Sequence, residues 1–211
     1  MSKIIFLNGS SSVGKTSIAK EIMKQSNDLW FFFSIDFLVN EWIDKKFICI
    51  DSEDYEEWQK NWFFHKHSSD ENKPSIIAAD GAGAQELHRD VIDSIALLSK
   101  KGRNIIIDEV LMTQEAFKHY AKNLKECAIV YLISVQCDLL EAEKREKQRG
   151  DRWLGQSRGF LSAYNNVPFY DFIIDTTNTN PTVNAGSILE FVSNNPAPKA
   201  FKKSLMEWGL L

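Results

Sequence analysis

Continuous apolar runs alternate with helical repeats along most of this chain. Five such runs predict buried strands, and they are Lys3 to Leu7, Leu29 to Asp36, Asn104 to Glu109, Ala128 to Val135 and Tyr170 to Asp175. Because these runs are continuous and do not alternate with polar residues, they are typical of parallel strands that are covered on both faces. We expect the first run to form the central strand of a sheet.

Between and after these runs, apolar residues recur at the spacing of one helix face. The predicted helices are Ser17 to about Gln25, Phe37 to about Trp42, Gly83 to Lys101, Thr113 to about Leu124, Asp138 to Gln148 and Ala185 to about Ser193. A tail over residues 194–211 contains an amphipathic segment, Phe201 to Trp208, which we interpret as a surface helix. The alternation predicts one α/β domain over residues 1–211.

Residues 41–80 are the least regular part of the pattern. Ser52, followed by two acidic residues, is typical of a helix start, and Tyr55, Trp58 and Trp62 recur at helical spacing. Such a stripe can line a pocket for an apolar or aromatic substrate, but large aromatic residues are more often buried in a core. We expect a core role for the stripe.

A histidine pair and a polar segment end this irregular region. His65 and His67 flank a lysine, and without further ligands nearby this pattern favours solvated side chains over a metal site. The segment from Ser68 to Pro74 is polar and ends in proline, which predicts a loop.

The residues after the first strand carry the clearest chemical signal. Residues 9–16 read Gly-Ser-Ser-Ser-Val-Gly-Lys-Thr, with an apolar run before them and a helical pattern after them. Glycines at the first and sixth positions let successive backbone N–H groups point into one concavity, to which the helix start adds its own. In this P-loop cradle we expect Lys15 to reach the β- and γ-phosphates and the hydroxyl of Thr16 to bind Mg²⁺. The predicted nucleotide-binding residues here are Gly9, Ser10, Ser11, Ser12, Val13, Gly14, Lys15, Thr16 and Ser17.

Two predicted strands end in carboxylates, and the carboxyl ends of parallel strands meet at one edge of a sheet. Asp36 either faces the same crevice as the phosphate loop or caps the next helix through its side chain, and both roles can coexist. Asp108 has the position of a Walker B acid, so we expect it to bind Mg²⁺ together with Thr16. Glu109 either supports this acid or is solvated.

Three arginines, Arg145, Arg149 and Arg152, fall within one short segment. The first two are four residues apart on one helical face, and the third follows a glycine. They either pair on a solvated face with nearby acidic residues or neutralise charge on a transferring phosphoryl group as part of a lid. The acidic residues in question are Glu141, Glu143 and Glu146. In a phosphate-binding protein we favour the lid, over about residues 138–158.

Composition narrows the range of partners. The chain has 211 residues and a net charge of −4, which argues against recruitment of nucleic acid by charge. Its three cysteines, Cys49, Cys127 and Cys137, suggest neither a disulfide framework nor a zinc site. The first residues do not read as a signal peptide, and no apolar run reaches membrane-spanning length. We therefore expect a cytoplasmic protein without nucleic-acid or membrane partners.

With these segments in place, the chain resembles the chloramphenicol phosphotransferase family of small P-loop kinases, from about Lys3 to Ser193. The segments that carry the resemblance are Leu7 to Thr16, Ser34 to Asp36, Ile105 to Leu111, Gln136 to Arg152 and Tyr170 to Thr177. The resemblance implies a three-layer fold, in which a five-stranded parallel sheet has helices on both faces. It also implies ATP with Mg²⁺ as the phosphoryl donor.

The same resemblance implies that Asp36 contacts the acceptor hydroxyl and is the general base, since a base must reach the attacking oxygen. We therefore predict transfer of the γ-phosphoryl group of ATP to a hydroxyl of a small-molecule acceptor. The predicted catalytic residues are Asp36, Lys15, Arg145, Arg149 and Arg152. Thr177 is added to the predicted nucleotide-binding residues.

Residues 41–80 depart from the family, because they are longer and more aromatic than its antibiotic-binding region, and we expect an insertion at the acceptor site. The acceptor is chloramphenicol or another small molecule. One alternative is a toxin-like kinase that acts on a nucleotide sugar, and another is a non-catalytic ATP-dependent switch. A GTP switch is disfavoured, since the one Asn-Lys pair, Asn72-Lys73, precedes Pro74-Ser75 and not a guanine-reading aspartate.

Overall fold

A computed structural model describes residues 1–50, 56, 62–68, 73–150 and 153–211. Its strands are β1 Ser2–Asn8, β2 Trp30–Ser34, β3 Ile48–Ile50, β4 Phe63–His67, β5 Ile76–Asp80, β6 Asn104–Glu109, β7 Ala128–Gln136 and β8 Phe172–Asp175. In the described part of the chain they form a five-stranded parallel sheet, in the order β2-β6-β1-β7-β8, and a three-stranded sheet, in the order β3-β4-β5. The predicted α/β fold with a five-stranded parallel sheet is confirmed.

The first strand lies at the centre of the larger sheet, as expected from its continuous apolar run. β1 pairs with β6 on one side and β7 on the other, so that Asn8 lies opposite both Glu109 and Ser134. The phosphate loop therefore leaves the middle of the sheet at its carboxyl edge. The acids that end β6 lie directly beside it.

Helices cover both faces of this sheet. They are α1 Lys15–Gln25, α2 Ile35–Phe37, α3 Ala82–Lys100, α4 Gln114–Leu124, α5 Leu139–Arg149, α6 Gln156–Gly159, α7 Pro181–Asn194 and α8 Ala200–Glu207. The described residues also include a π-helix, Leu38–Trp42, and the 3-10 helices Lys45–Phe47 and Leu161–Asn166. Ile5 and Leu7 of β1 pack in a core with α1 and α7, while Ile4 and Phe6 face a second core with α3, α4 and α8.

The predicted end of the second strand, at Asp36, is wrong. β2 stops at Ser34, and α2 begins at Ile35, so Asp36 lies in a helical turn and not on the strand. The Ser34 hydroxyl accepts a hydrogen bond from the backbone N–H of Phe37 at 3.5 Å. A side chain that caps a helix in this way ends the preceding strand.

The smaller sheet lies in the region that seemed least regular, and the sequence analysis missed it. β3 runs parallel to β4, and β4 runs antiparallel to β5. His65 is half-buried on β4, with its ring 4.8 Å from that of Trp153, so the expectation that it is solvated is wrong. The predicted helix start at Ser52 and the predicted stripe residues Tyr55 and Trp58 lie outside the described residues.

Two other segments of this region are partly described. The ring of Trp62 lies 4.3 Å from that of Phe47, which places it in an aromatic contact. The predicted loop is described only at its ends, where the backbone N–H of Ser68 donates to the carbonyl oxygen of Ser75 at 2.7 Å.

The C-terminal helix is more than a surface feature. Phe201 and Leu205 of α8 are 7% and 2% exposed, and they pack in the core between α4 and β7. The tail therefore contributes to the larger sheet's hydrophobic cover. None of the helices in the described part of the chain has the length and apolar character needed to cross a bilayer.

Candidate active site

The loop between β1 and α1 has the shape of an anion cradle. Gly14 precedes α1 with a φ of 97°, in the left-handed region that glycine adopts without strain. A Cβ on Gly9 would clash with the carbonyl oxygen of Val135, so both positions require glycine. The hydroxyl of Ser12 is buried in this loop and lacks a partner among the described residues. A buried polar atom of this kind fits a loop that receives a ligand.

The side chain of Lys15 is buried and folds back over the loop. Its ammonium donates to the carbonyl oxygens of Gly9 at 3.0 Å and Ser10 at 2.8 Å, and lies 3.7 Å from a carboxylate oxygen of Asp108. The positive charge is therefore held at the concavity that the loop forms. This geometry is compatible with the predicted contact between Lys15 and a phosphate.

Asp108 connects the end of β6 to the phosphate loop. Its carboxylate accepts a hydrogen bond from the Thr16 hydroxyl at 2.5 Å. Burial raises the pKa of Asp108, whereas the charge of Lys15 and the hydrogen bond from Thr16 act in the opposite direction. A cation bound beside this carboxylate would also favour its charged form.

The residues beside the loop fit a magnesium ion. Thr16 and Asp108 present the hard oxygen atoms that Mg²⁺ prefers, and their side chains already touch each other next to Lys15. Mg²⁺ usually takes one or two such protein ligands together with phosphate oxygens and water. The assignment of Thr16 and Asp108 as its ligands stays a prediction.

A cavity of about 660 Å³ lies beyond the carboxyl ends of β2 and β6. Asp36 lines it from α2, and Glu109 lines it from the end of β6. Since Ser34 caps α2, the alternative that Asp36 is the capping residue is wrong. Besides burial and Lys15, the charge of Asp36 influences the pKa of Asp108, so the two carboxylates lie within electrostatic range of each other.

The side chains of the two acidic residues that end β6 face different parts of the structure, because consecutive strand residues point to opposite faces of a sheet. Asp108 contacts the phosphate loop, while Glu109 faces the cavity. Glu109 is 2% exposed and accepts hydrogen bonds from the Tyr120 hydroxyl at 2.9 Å and from its neighbour's backbone N–H at 3.0 Å. The alternative that Glu109 is solvated is therefore wrong.

The imidazole of His88 completes the surroundings of Glu109. Its Nε2 lies 3.2 Å from a carboxylate oxygen of Glu109. Burial by itself would lower the pKa of His88, but the charge and hydrogen bond of Glu109 and the charge of Asp80 outweigh burial and the opposing charge of Arg89, and raise it. His88, which lies beside Glu109, therefore binds its proton more tightly in the folded protein than in the unfolded chain.

Replacing His88 with glutamine should destabilise the fold more at acidic than at alkaline pH. The pKa of His88 is raised above 6.5 on folding, so its contribution is complete below pH 6.5 and is lost as pH rises through the folded value. We expect a loss of about 1 to 3 kcal/mol at pH 5.5, and less at pH 8.5, from urea unfolding. His119→Gln, which alters a pair with the exposed Asp93, is the control. An equal loss at both pH values would contradict the assignment.

The first predicted lid arginine is attached to the loop after β8. Arg145 donates to the carbonyl oxygens of Thr176 at 2.8 Å and Thr177 at 3.3 Å, and its Nε bonds to Glu141 at 3.1 Å. Arg145 therefore pairs with an acidic neighbour and also contacts the turn after β8, while its predicted role at the phosphoryl group stays a prediction. Arg149 ends α5, where its predicted role stays open, and Arg152 lies outside the described residues.

The other two acidic residues of α5 have their own partners. Glu143 pairs with Arg158 at 2.6 Å. Glu146 is buried and accepts hydrogen bonds from the backbone N–H groups of Gly155 at 2.7 Å and Ser157 at 2.8 Å. Glu146 thus fixes α6 to α5. Ser10 of the phosphate loop in turn donates its hydroxyl proton to the carbonyl oxygen of Ser157 at 2.6 Å.

Thr177 lies in the turn that follows β8. Its hydroxyl donates to Asp175 and accepts a hydrogen bond from the backbone N–H of Asp138 at 2.8 Å. The neighbouring Thr176 hydroxyl donates to the carbonyl oxygen of Val13 in the phosphate loop at 2.8 Å. The turn is therefore joined to the loop and to Arg145, which is compatible with the predicted contact of Thr177 with nucleotide.

Comparison of the sequence with known protein families identifies the family of this chain. Residues 2–193 match the family described as chloramphenicol phosphotransferase-like protein. The chain belongs to this family. Two Mycobacterium tuberculosis proteins, one in each of two strains, bear the name "Putative O-phosphotransferase". Each is 29% identical to this chain over 214 residues, which cover 95% of this chain and 87% of the relative.

Solved structures of kinases share the fold of this chloramphenicol phosphotransferase-like protein. An APS kinase from Mycobacterium tuberculosis, in complex with AMPPNP and APS, superposes with a TM-score of 0.59 at 13% identity, over 91% of this chain and 98% of that one. A shikimate kinase from Acinetobacter baumannii, in complex with shikimate, gives a TM-score of 0.53 at 12% identity, over 92% and 95% of the two chains. At these identities the likeness shows the P-loop kinase fold alone.

Several residues of this family member's cavity escaped the sequence analysis. His88 lies between Ala84 and Ile92 on the buried face of α3, four residues from each, so a polar residue on an apolar stripe was the available signal. Trp153 and Gln156 also line the cavity, but Trp153 lies in the connection after α5 and Gln156 begins the four-residue helix α6. No periodicity marks them.

Proposed function

We propose that this protein transfers the γ-phosphoryl group of ATP to a hydroxyl group of a small molecule. The proposal rests chiefly on the end of β6, where Asp108 contacts Lys15 and Thr16 while the adjacent Glu109 lines the cavity together with Asp36. A nucleotide held by the loop and an acceptor held in the cavity would meet at this strand end. Membership of the chloramphenicol phosphotransferase-like family supports the same reaction.

The loop would hold and orient the triphosphate. Because the transition state of phosphoryl transfer is loose, catalysis depends mainly on positioning and on stabilising charge spread over the phosphate oxygens. The backbone N–H groups of residues 9–16 and the ammonium of Lys15 supply this stabilisation from one side. When bound at Thr16 and Asp108, Mg²⁺ neutralises phosphate charge. Three arginines would act from the lid side, and they are Arg145, Arg149 and Arg152.

Asp36 would prepare the acceptor. Its carboxylate orients the acceptor hydroxyl and takes its proton as the new bond between that oxygen and the γ-phosphorus forms. The bond between the γ-phosphorus and the oxygen that bridges to the β-phosphate breaks, and ADP leaves with the electron pair. Arg145 would act from the side of the loop after β8, and its contacts with that loop support this role.

A screen with mass detection tests this function. The purified protein is incubated with ATP, Mg²⁺ and a panel of hydroxylated metabolites and antibiotics that includes chloramphenicol and nucleotide sugars. We expect one class of neutral hydroxylated compound to gain the mass of one phosphoryl group, and EDTA to abolish the gain. Failure to bind ATP with Mg²⁺ in calorimetry would refute the proposal. ATP turnover that no acceptor changes would favour a switch.

A further inference from the structure

The carboxylate of Glu146 is buried between α5 and α6. Glu146 is 2% exposed, and its oxygens accept hydrogen bonds from the backbone N–H groups of Gly155 at 2.7 Å and Ser157 at 2.8 Å. The hydroxyl of Ser157 donates a further hydrogen bond at 3.0 Å. Burying a carboxylate is unfavourable unless donors surround it, so these bonds hold α5 and the start of α6 together. Glu146 takes no part in the phosphoryl transfer proposed above, and its burial indicates another task.

Hydrogen bonds continue from Glu146 to the phosphate loop. The carbonyl oxygen of Ser157 accepts a hydrogen bond from the Ser10 hydroxyl at 2.6 Å, and both serines are buried. The start of α6 is also held by β5, since the carbonyl oxygen of Gly155 accepts a hydrogen bond from the backbone N–H of Ile76 at 3.0 Å. Glu146 therefore holds Ser10 through a single intermediate residue, on a segment that β5 supports.

The residue before Glu146 holds a second point of the same loop. Arg145 donates hydrogen bonds to the hydroxyl of Thr176 at 3.1 Å and to its carbonyl oxygen at 2.8 Å. The hydroxyl of Thr176 donates to the carbonyl oxygen of Val13 at 2.8 Å. Two consecutive residues of α5 are thus connected to Ser10 and to Val13, which lie near the two ends of the phosphate loop.

The loop between these two points has a backbone shape that needs support. Ser12 has a φ of 60°, in the left-handed region, which is sterically unfavourable for a residue with a Cβ. A loop that was free to relax would leave this conformation, and nucleotide binding would have to restore it at a cost in affinity. The contacts at Ser10 and Val13 flank Ser12, so they keep the N–H groups of the loop convergent before a phosphate arrives.

We propose that Glu146 is a positioning residue, which acts through Ser157 and Ser10 to keep the phosphate loop in its nucleotide-binding shape before the nucleotide arrives. This inference rests on the proposed function, because a preformed loop has a purpose only if it receives a phosphate. Glu146 does not touch the nucleotide. Its loss weakens ATP binding because the loop must then be ordered during binding.

Hydrogen exchange of the full chain without nucleotide tests the inference first. Glu146→Gln keeps the size of the side chain, but its amide NH₂ faces a donor, so at least one of the present hydrogen bonds is lost. We expect the backbone amides of residues 9–14 to exchange about tenfold faster than in the wild type. Ser10→Ala, which removes the other end of the connection and only one oxygen atom, should have the same effect. Unchanged exchange in either folded variant would overturn the inference.

The matched control is Asp171→Asn. The carboxylate of Asp171 also accepts backbone hydrogen bonds, from Leu132 at 3.0 Å and from Lys199 and Ala200 at 2.8 Å, and it fixes α8 to β7. The same chemical change should therefore lower the Tm while exchange in the phosphate loop stays within about twofold of the wild type. Equal acceleration in this variant would show a general loss of stability and would overturn the assignment of Glu146.

ATP affinity supplies a readout that a purely structural role would not move. In calorimetry with ATP and Mg²⁺, Glu146→Gln and Ser10→Ala should each raise the Kd by about fivefold. The double variant should match the weaker-binding single variant, since both changes break one connection, and Asp171→Asn should bind as the wild type does. Effects that multiply in the double variant, or an unchanged Kd in Glu146→Gln, would overturn the inference.

Failure of the proposed function would look different. A wild type that binds no ATP would refute that function, whereas the exchange comparison contains no nucleotide and still decides whether Glu146 holds the phosphate loop. A wild type that binds ATP, together with a folded Glu146→Gln protein that exchanges and binds in the same way, would leave the proposed function intact and overturn the inference alone.

Discussion

Phosphoryl transfer by the Asp36→Asn variant should be slower than that of the wild type by a factor of about 10² to 10⁴ in kcat, with ATP affinity unchanged. Asparagine keeps the size of the side chain but cannot accept the acceptor's proton. Asp36 lines the cavity and does not belong to the phosphate loop, so the nucleotide should bind as before. Single-turnover kinetics with the acceptor found by the screen, and calorimetry with ATP, measure the two effects.

The matched control for this variant is Asp28→Asn. Asp28 is exposed and pairs with Lys3 at 3.9 Å on the surface, so the same chemical change should leave kcat and ATP affinity within about twofold. Full activity of Asp36→Asn would end its assignment as the general base. A parallel loss of ATP affinity would instead assign Asp36 to nucleotide binding, through its proximity to Asp108.

Removing the ammonium of Lys15 should have the second large effect. Lys15→Met is expected to lower kcat by about 10² or more and to weaken ATP binding, because the charge on the β- and γ-phosphates loses its stabilising partner. Methionine fills a similar volume in the buried position of Lys15. Steady-state kinetics and calorimetry with ATP and Mg²⁺ give the two quantities.

Lys20→Met controls for the loss of one positive charge on the same helix. Lys20 is exposed on α1 and should tolerate the change with no more than a small effect on either quantity. The Tm of Lys15→Met matters as well, since the replacement leaves the carbonyl oxygens of Gly9 and Ser10 without their present donor. Unchanged ATP affinity and kcat in a folded Lys15→Met protein would contradict the predicted phosphate contact.

The larger sheet and the phosphate loop could be predicted from the local sequence. The five strands are short, mainly apolar runs that do not alternate with polar residues, and such runs are typical of strands covered on both faces. The loop carries its glycines where a positive φ or a close approach requires them, as at Gly14 and Gly9. Asp108 lies beside Thr16 because β1 and β6 are adjacent parallel strands, whose carboxyl ends lie together.

The cavity could not be predicted in the same way, because its walls come from segments far apart in sequence. His65 is polar and flanked by lysine, and only its pairing within the small sheet turns it toward Trp153. His88 was missed because it is a polar residue among the apolar residues that define the buried face of α3. The role of Glu109 was left open between support of Asp108 and solvation, since its partner Tyr120 lies on a helix that no strand-end rule connects to it.

The hydrogen bond from Ser10 to the carbonyl oxygen of Ser157 joins the triphosphate cradle to the residue next to Gln156. If nucleotide binding moves the phosphate loop, this hydrogen bond moves α6 as well. The affinity of the cavity for the acceptor would then change. Thermodynamic reciprocity then requires the second substrate to alter nucleotide affinity by the same factor. The affinities for the two ligands would then be coupled through one serine hydroxyl.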